Sequence, residues 1–174
     1  MKDIELRLIA ELMKNSRRSD RDLAKTLRVS QPTVTRVRSR LEREGYLKEY
    51  TAIPDFAKLG YELAAITLVR VNDDLTEEEL KQAQQITQKD MAKKAPSEII
   101  LFERGLGEKY TGAIVSYHKS YSEYSELLRR MKEYPFLNCS ETLSFIVNLN
   151  DRIHYRNFTL STIAEHLANS EKKQ

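Results

Sequence analysis

Apolar residues recur first at helical spacing and later at alternate positions, and that change of period divides the chain. Ile4, Leu8, Ile9, Leu12 and Met13 mark one stripe of a first helix, which ends at Asn15-Ser16. Ser19-Asp20-Arg21-Asp22 has capping-box form: the Ser19 hydroxyl accepts from the N–H three residues on, and Asp22 reaches back. A short helix follows with Leu23, Ala24 and Leu27 inward. Arg28-Val29 makes a tight turn and Ser30 is the next N-cap. Pro32 is tolerated in a first turn, where its missing N–H has no partner anyway. This third helix runs from about Gln31 to Glu44 and stops at Gly45. Residues 46–53 then read as a strand. Helix, helix, helix, strand describes a winged helix-turn-helix.

After a connector at 54–61, punctuated by Pro54 and Gly60, the period changes to two. Residues 63–71 are strand-like. Thr76-Glu77-Glu78-Glu79 opens a polar helix to about Lys94, ending before Pro96. Strands are expected at 99–102 and 113–117, with Gly105-Leu106-Gly107 turning between them. Ser120-Tyr121-Ser122-Glu123 caps a second helix, with Tyr121, Tyr124, Leu128 and Met131 on one face and Pro135 as the stop. Leu143, Phe145, Val147 and Leu149 alternate as a last strand. The order is βαββαβ, a ferredoxin-like unit. The fold class expected is therefore α+β, with a winged helix-turn-helix at 1–53, a linker at 54–61, the βαββαβ unit at 62–150, and an extension at 151–174. Within the extension Ser161, Thr162 and Glu165 suggest a short capped helix, and 171–174 a frayed end.

Residues 63–71 are apolar on both faces, so the side of the sheet away from its helices needs a cover. Self-association supplies one. The competing cover is the extension, through Tyr155, Phe158, Ile163 and Leu167.

Charge sharpens this division. The net +3 of the 174 residues is uninformative as a sum. Residues 1–50 carry 13 Lys/Arg against 8 Asp/Glu, an excess of five, and the remainder is slightly acidic. On a helical wheel of the third helix, Val34, Val37 and Leu41 make a narrow buried stripe. Thr35, Arg36, Ser39 and Arg43 lie opposite, with Arg40 beside them. Guanidinium groups bind phosphates or pair in a fork with guanine, and hydroxyls contact phosphates or base edges. A charged arc is by itself most often a solvated face; its place in a helix-turn-helix is what points to DNA. Arg36, Ser39 and Arg40 are the candidates for base or groove contact, with Gln31, Thr33 and Thr35 near the bases. Ser30, Arg43 and the cluster Arg17, Arg18 and Arg21 are the candidates for phosphates.

Other chemistry is thinly signalled. The 40% hydrophobic content suits a folded core, and the lone Cys139 makes no internal disulfide, which favours a reducing compartment. No apolar run is long enough for a membrane span, so a cytoplasmic protein is expected. His118, His154 and His166 are scattered without metal-ligand spacing, and Gly105-Leu106-Gly107 lacks the ending of a phosphate loop. No cofactor, metal or catalytic set is expected.

The chain resembles the leucine-responsive regulator/AsnC (Lrp/AsnC) family of bacterial and archaeal transcription factors. The resemblance is carried by Leu23-Ala24-Lys25, by Val29 through Val34, by Arg40 through Leu47, by Tyr50 through Ile53 and by Leu59-Gly60-Tyr61. It implies a DNA-binding regulator whose RAM/ACT-like βαββαβ domain forms a homodimer, with tetramers or octamers built from it. It also implies a small-molecule effector, an amino acid in many members, at the loop holding Gly105, Gly107, Glu108 and Tyr110. The family's Gly-x-x-Asp here reads Gly107-Glu108-Lys109-Tyr110, so the carboxylate is missing or moved to Glu108. Alternatives are an enzyme like the siroheme decarboxylases, which look like this family, and a weakly specific architectural DNA-binding protein.

Overall fold

A computed structural model describes residues 3–71, 76–78, 81, 98–132, 134, 137–151, 153 and 158–169. The chain divides into two units, one from residues 1–54 with 154–174 and one from 55–153.

The first unit holds α1 (Asp3–Lys14), α2 (Asp20–Leu27) and α3 (Gln31–Arg43). Ser19 caps α2 as the sequence suggests: its Oγ accepts from the Asp22 N–H at 3.1 Å and donates to the Asp22 carboxylate at 2.6 Å. The helices meet through Leu8, Leu12, Leu23, Leu27, Val34, Val37 and Leu41, all buried. Each such side chain contributes about 1.5–3 kcal/mol of burial free energy. A further helix from the end of the chain, labelled α5 (Ser161–Asn169), packs on α1. Ala10 and Ala164 are both fully buried, and their small side chains suit close helix approach. The described part of the extension belongs to the first unit, and Phe158 and Ile163 are exposed.

Residues 46–53 correct the sequence reading, because they form no strand. A strand needs a ladder partner, and the first unit supplies none among the described residues. The segment is held instead by side-chain contacts, including a hydrogen bond from Ser16 Oγ to the Thr51 carbonyl at 3.4 Å.

The second unit is a four-stranded antiparallel sheet in the order β2-β3-β1-β4. Its strands are β1 (Leu63–Val71), β2 (Ile99–Arg104), β3 (Gly112–His118) and β4 (Leu137–Asn148). One helix, α4 (Tyr121–Met131), crosses between β3 and β4. Of the helix expected from Thr76 to about Lys94, residues 77, 78 and 81 are helical and the remainder lies outside the described residues. Pro96, Pro135, His154, Tyr155 and 171–174 lie outside them too, as does the side chain of Cys139.

Leu63, Ala65, Thr67 and Val69 of β1 face inward with Ile114, Ser116 and His118 of β3. Tyr124, Leu127 and Met131 of α4 pack on that side. The helix is rotated slightly from the expected face. Leu127 is buried, whereas Tyr121, the first residue of α4, is 61% exposed. The other face carries Ile66 paired with Val115 and Phe145, and Leu68 paired with Ala113 and Leu143. Ile66 is 43% and Phe145 67% exposed, so this face is apolar and open among the described residues of the unit.

Candidate nucleic-acid interface

The presentation of α3 follows from its ends and its stripe. At the start, Ser30 Oγ accepts from the Thr33 N–H at 3.3 Å and lies 2.8 Å from the Thr33 hydroxyl. At the end, Gly45 takes a φ of 76°, which glycine adopts without cost from a Cβ. The Tyr46 N–H then reaches the Leu41 carbonyl at 2.9 Å and the Gly45 N–H the Glu42 carbonyl at 3.1 Å. This Schellman geometry closes the helix. With Val34, Val37 and Leu41 buried, Gln31, Thr35, Arg36, Ser39 and Arg43 are exposed, as the wheel describes, and Thr33 is half-buried.

The arginines of this unit are not equivalent. Arg17, Arg21, Arg36 and Arg43 are exposed, with no hydrogen bond or ion pair from the guanidinium among the described residues. Arg40 instead reaches α1 and pairs with Glu5, a buried carboxylate, with Glu44 3.9 Å away. Arg18 pairs with Glu11 and donates to Thr26 Oγ1 and to the Asp22 carbonyl. Arg38 lies 3.0 Å from Asp20 Oδ1, donates to the Arg18 carbonyl at 3.2 Å and sits 5.8 Å from the centre of the Tyr50 ring.

Asp20 also accepts a hydrogen bond from the Thr35 hydroxyl, Oγ1 to Oδ2 at 2.6 Å. Tyr50 closes the other side by donating to Glu42 Oε1 at 2.7 Å. Burial, and then the hydrogen bond to Glu42, push the Tyr50 phenol up to about 12, so it stays a donor at neutral pH. Sequence reasoning passed over Glu5, Asp20 as a partner of α3, and Tyr50. Glu5 did leave a signal: three and seven residues before Leu8 and Leu12, it is a carboxylate on the apolar face of α1.

The loop between β2 and β3 is a hairpin connection, with the Gly105 N–H bonded to the Thr111 carbonyl at 2.9 Å. Gly107 is required there because a Cβ would collide with the Tyr110 carbonyl. Gly105, Gly107 and Glu108 are exposed and Tyr110 is half-buried.

Residues 1–48 match the winged helix-turn-helix DNA-binding family. The HTH-type transcriptional regulator LrpC of Bacillus subtilis is 39% identical over 70 residues, which cover 40% of this chain and 49% of that protein. The chain thus matches about half the length of the curated relatives. In three dimensions the likeness extends over both units. The solved LrpC superposes at a TM-score of 0.64 over 90% of this chain and 99% of that one, at 24% identity. An AsnC family transcriptional regulator from Agrobacterium tumefaciens gives 0.69 over 94% and 99%, at 18% identity. The transcriptional regulator NMB0573 of Neisseria meningitidis, solved as a complex with L-Met, gives 0.72 over 96% and 99%, at 16% identity.

Residues 1–48 of the first unit are thus a winged helix-turn-helix DNA-binding module. With the four-stranded second unit, the fold is that of the solved LrpC and AsnC-family structures, and over 70 residues the chain shares sequence with LrpC as well.

Proposed function

We propose that the chain is a sequence-specific DNA-binding transcriptional regulator that works as a dimer or higher oligomer in the cytoplasm, without enzymatic activity. The observation that carries this reading is the outward arc of α3, where Arg36, Ser39 and Arg43 stand exposed and the two arginines have no protein partner among the described residues. The α3 helix enters the major groove, and Arg36 offers a guanidinium fork to guanine while Ser39 lies alongside. Arg17, Arg21 and Arg43 hold phosphates, joined by Ser30 at the start of the helix. Dimerisation through the open sheet face brings two such helices to half-sites about one helical turn apart. A small-molecule effector belongs to this reading, favoured by the L-Met complex of the Neisseria regulator, with the loop of Gly105, Gly107, Glu108 and Tyr110 as its candidate place. Relatives named transcriptional regulators favour this over the decarboxylase-like and architectural readings.

Capture of genomic fragments on the full chain, followed by sequencing, tests the proposal. A shared motif is expected, whereas recovery without sequence preference overturns specificity. On the recovered site, Arg36→Ala costs about 1–3 kcal/mol of binding free energy. Unchanged affinity in an Arg36→Ala, Arg43→Ala double variant removes α3 as the reading element.

A further inference from the structure

We infer that Asp20 is a specificity-determining positioning residue. By holding Thr35 and Arg38 against α2, it keeps two groups of α3 away from DNA and leaves the reading to Arg36 and Ser39. The inference rests on the DNA-binding reading of α3 proposed above.

Asp20 is the first residue of α2, fixed in place by the Ser19 cap beside it. One of its oxygens accepts the Thr35 hydroxyl at 2.6 Å, and the other faces Arg38 Nη1 at 3.0 Å. One carboxylate thus occupies two side chains three positions apart on the neighbouring helix. Arg38 is enclosed further by the Arg18 carbonyl at 3.2 Å and the Tyr50 ring. Tyr50 is tied to α3 through Glu42.

The energetic character of this contact matters. Asp20 Oδ1 and Arg38 Nε are buried without an aligned hydrogen bond, so charge rather than bond geometry holds the pair. Such a pair depends on the carboxylate. Without it Arg38 is left with the Arg18 carbonyl and the Tyr50 ring, and its charge becomes available to a DNA phosphate. The Thr35 hydroxyl, which also lies 3.2 Å from the Gln31 carbonyl, is then no longer held by Asp20 and bonds bases or phosphates with little discrimination, since a hydroxyl both donates and accepts. Asp20 therefore trades electrostatic affinity for discrimination.

The test compares specific and nonspecific duplexes, bound by the full chain over a salt series, with thermal melting alongside. For Asp20→Ala, nonspecific binding tightens and the ratio of specific to nonspecific affinity falls roughly tenfold, about the cost of one mismatched base pair. The log–log salt dependence steepens by about 0.9, as one more phosphate is engaged. Adding Arg38→Ala to Asp20→Ala returns the salt slope to that of the parent. Asp20→Asn keeps an acceptor for Thr35 but not the charge facing Arg38, so it steepens the slope while holding most of the specificity.

A residue that only stabilises the fold gives a different signature: both affinities and the melting temperature fall together, and the salt slope does not steepen. That result, or an Asp20→Ala protein with the parent's ratio and slope, overturns the inference. Failure of the parent chain to prefer any sequence strikes the DNA-binding reading itself, and is seen before any variant is made.

Discussion

Arg28 holds a φ of 57° in the turn between α2 and α3, where its N–H and that of Val29 bond back to the last carbonyls of α2. A side chain in the left-handed region costs about 1–2 kcal/mol, which glycine avoids at the price of a more flexible unfolded chain. Arg28→Gly is therefore expected to stabilise the protein by about 0.5–1 kcal/mol, read as a higher denaturation midpoint at unchanged m-value. Equal or lower stability means that the Arg28 side chain contributes more than its backbone costs. His118 sets a second expectation. It is fully buried, with Nε2 2.8 Å from Ser116 Oγ and Nδ1 without a hydrogen-bond partner among the described residues. Burial foremost, and then Arg130, hold its pKa below the ordinary 6.5, with Glu98 and Glu123 opposing. The unfolded chain takes up this proton and the folded chain resists it. The stability conferred by neutral His118 is thus complete above about pH 6.5 and lost as the pH falls below it. Melting temperature should fall between about pH 7 and 5, and less steeply in His118→Gln. Parallel profiles for the two proteins remove His118 as the cause.

The elements carry information that single residues do not. Thr67 interrupts an apolar strand and looks in the sequence like a flaw in β1. Its register places it beneath α4, where the Tyr124 hydroxyl lies 3.0 Å from Thr67 Oγ1 and donates to Ser144 Oγ on β4. Because the tyrosine proton goes to Ser144, Thr67 is the donor to Tyr124. Three elements are joined by one buried phenol. Tyr124→Phe removes both bonds and leaves two hydroxyls short of partners, at an expected cost of about 1–3 kcal/mol in denaturant unfolding. A cost near zero means that water or rotation of the hydroxyls satisfies them. The segment after α3 makes the opposite point. Residues 46–53 have strand character broken by Lys48 and Glu49, but strand character without a ladder partner ends as a chain held by Tyr50 and Thr51.

For the whole molecule, the open face of the sheet is decisive. Ile66, Leu68, Val115, Leu143 and Phe145 share it by register. In the proposed function this face is the association surface. Phe145→Lys is expected to shift the proposed dimer to a folded monomer in light scattering, and to weaken DNA binding because paired half-sites are lost. A parent protein that scatters as a monomer removes the paired half-site arrangement. The charge division belongs to this scale too, since the basic excess lies in the unit that presents α3.

Periodicity, caps and breakers determined most of the elements, because these are local properties: Ser19, Ser30 and Ser120 each accept the predicted backbone N–H, and β1 has the predicted bounds. The buried stripe and the outward arc of α3 were legible for the same reason, being functions of helical spacing alone. Tertiary structure decided which arginines of that region are free. Arg40 turns to Glu5, Arg38 to Asp20 and Arg18 to Glu11, over separations that no local pattern encodes. It also decided that the last described helix packs on the first, and that residues 46–53 do not form a strand. A wheel tells which way a side chain leaves its own helix, and only the neighbouring elements determine what it meets.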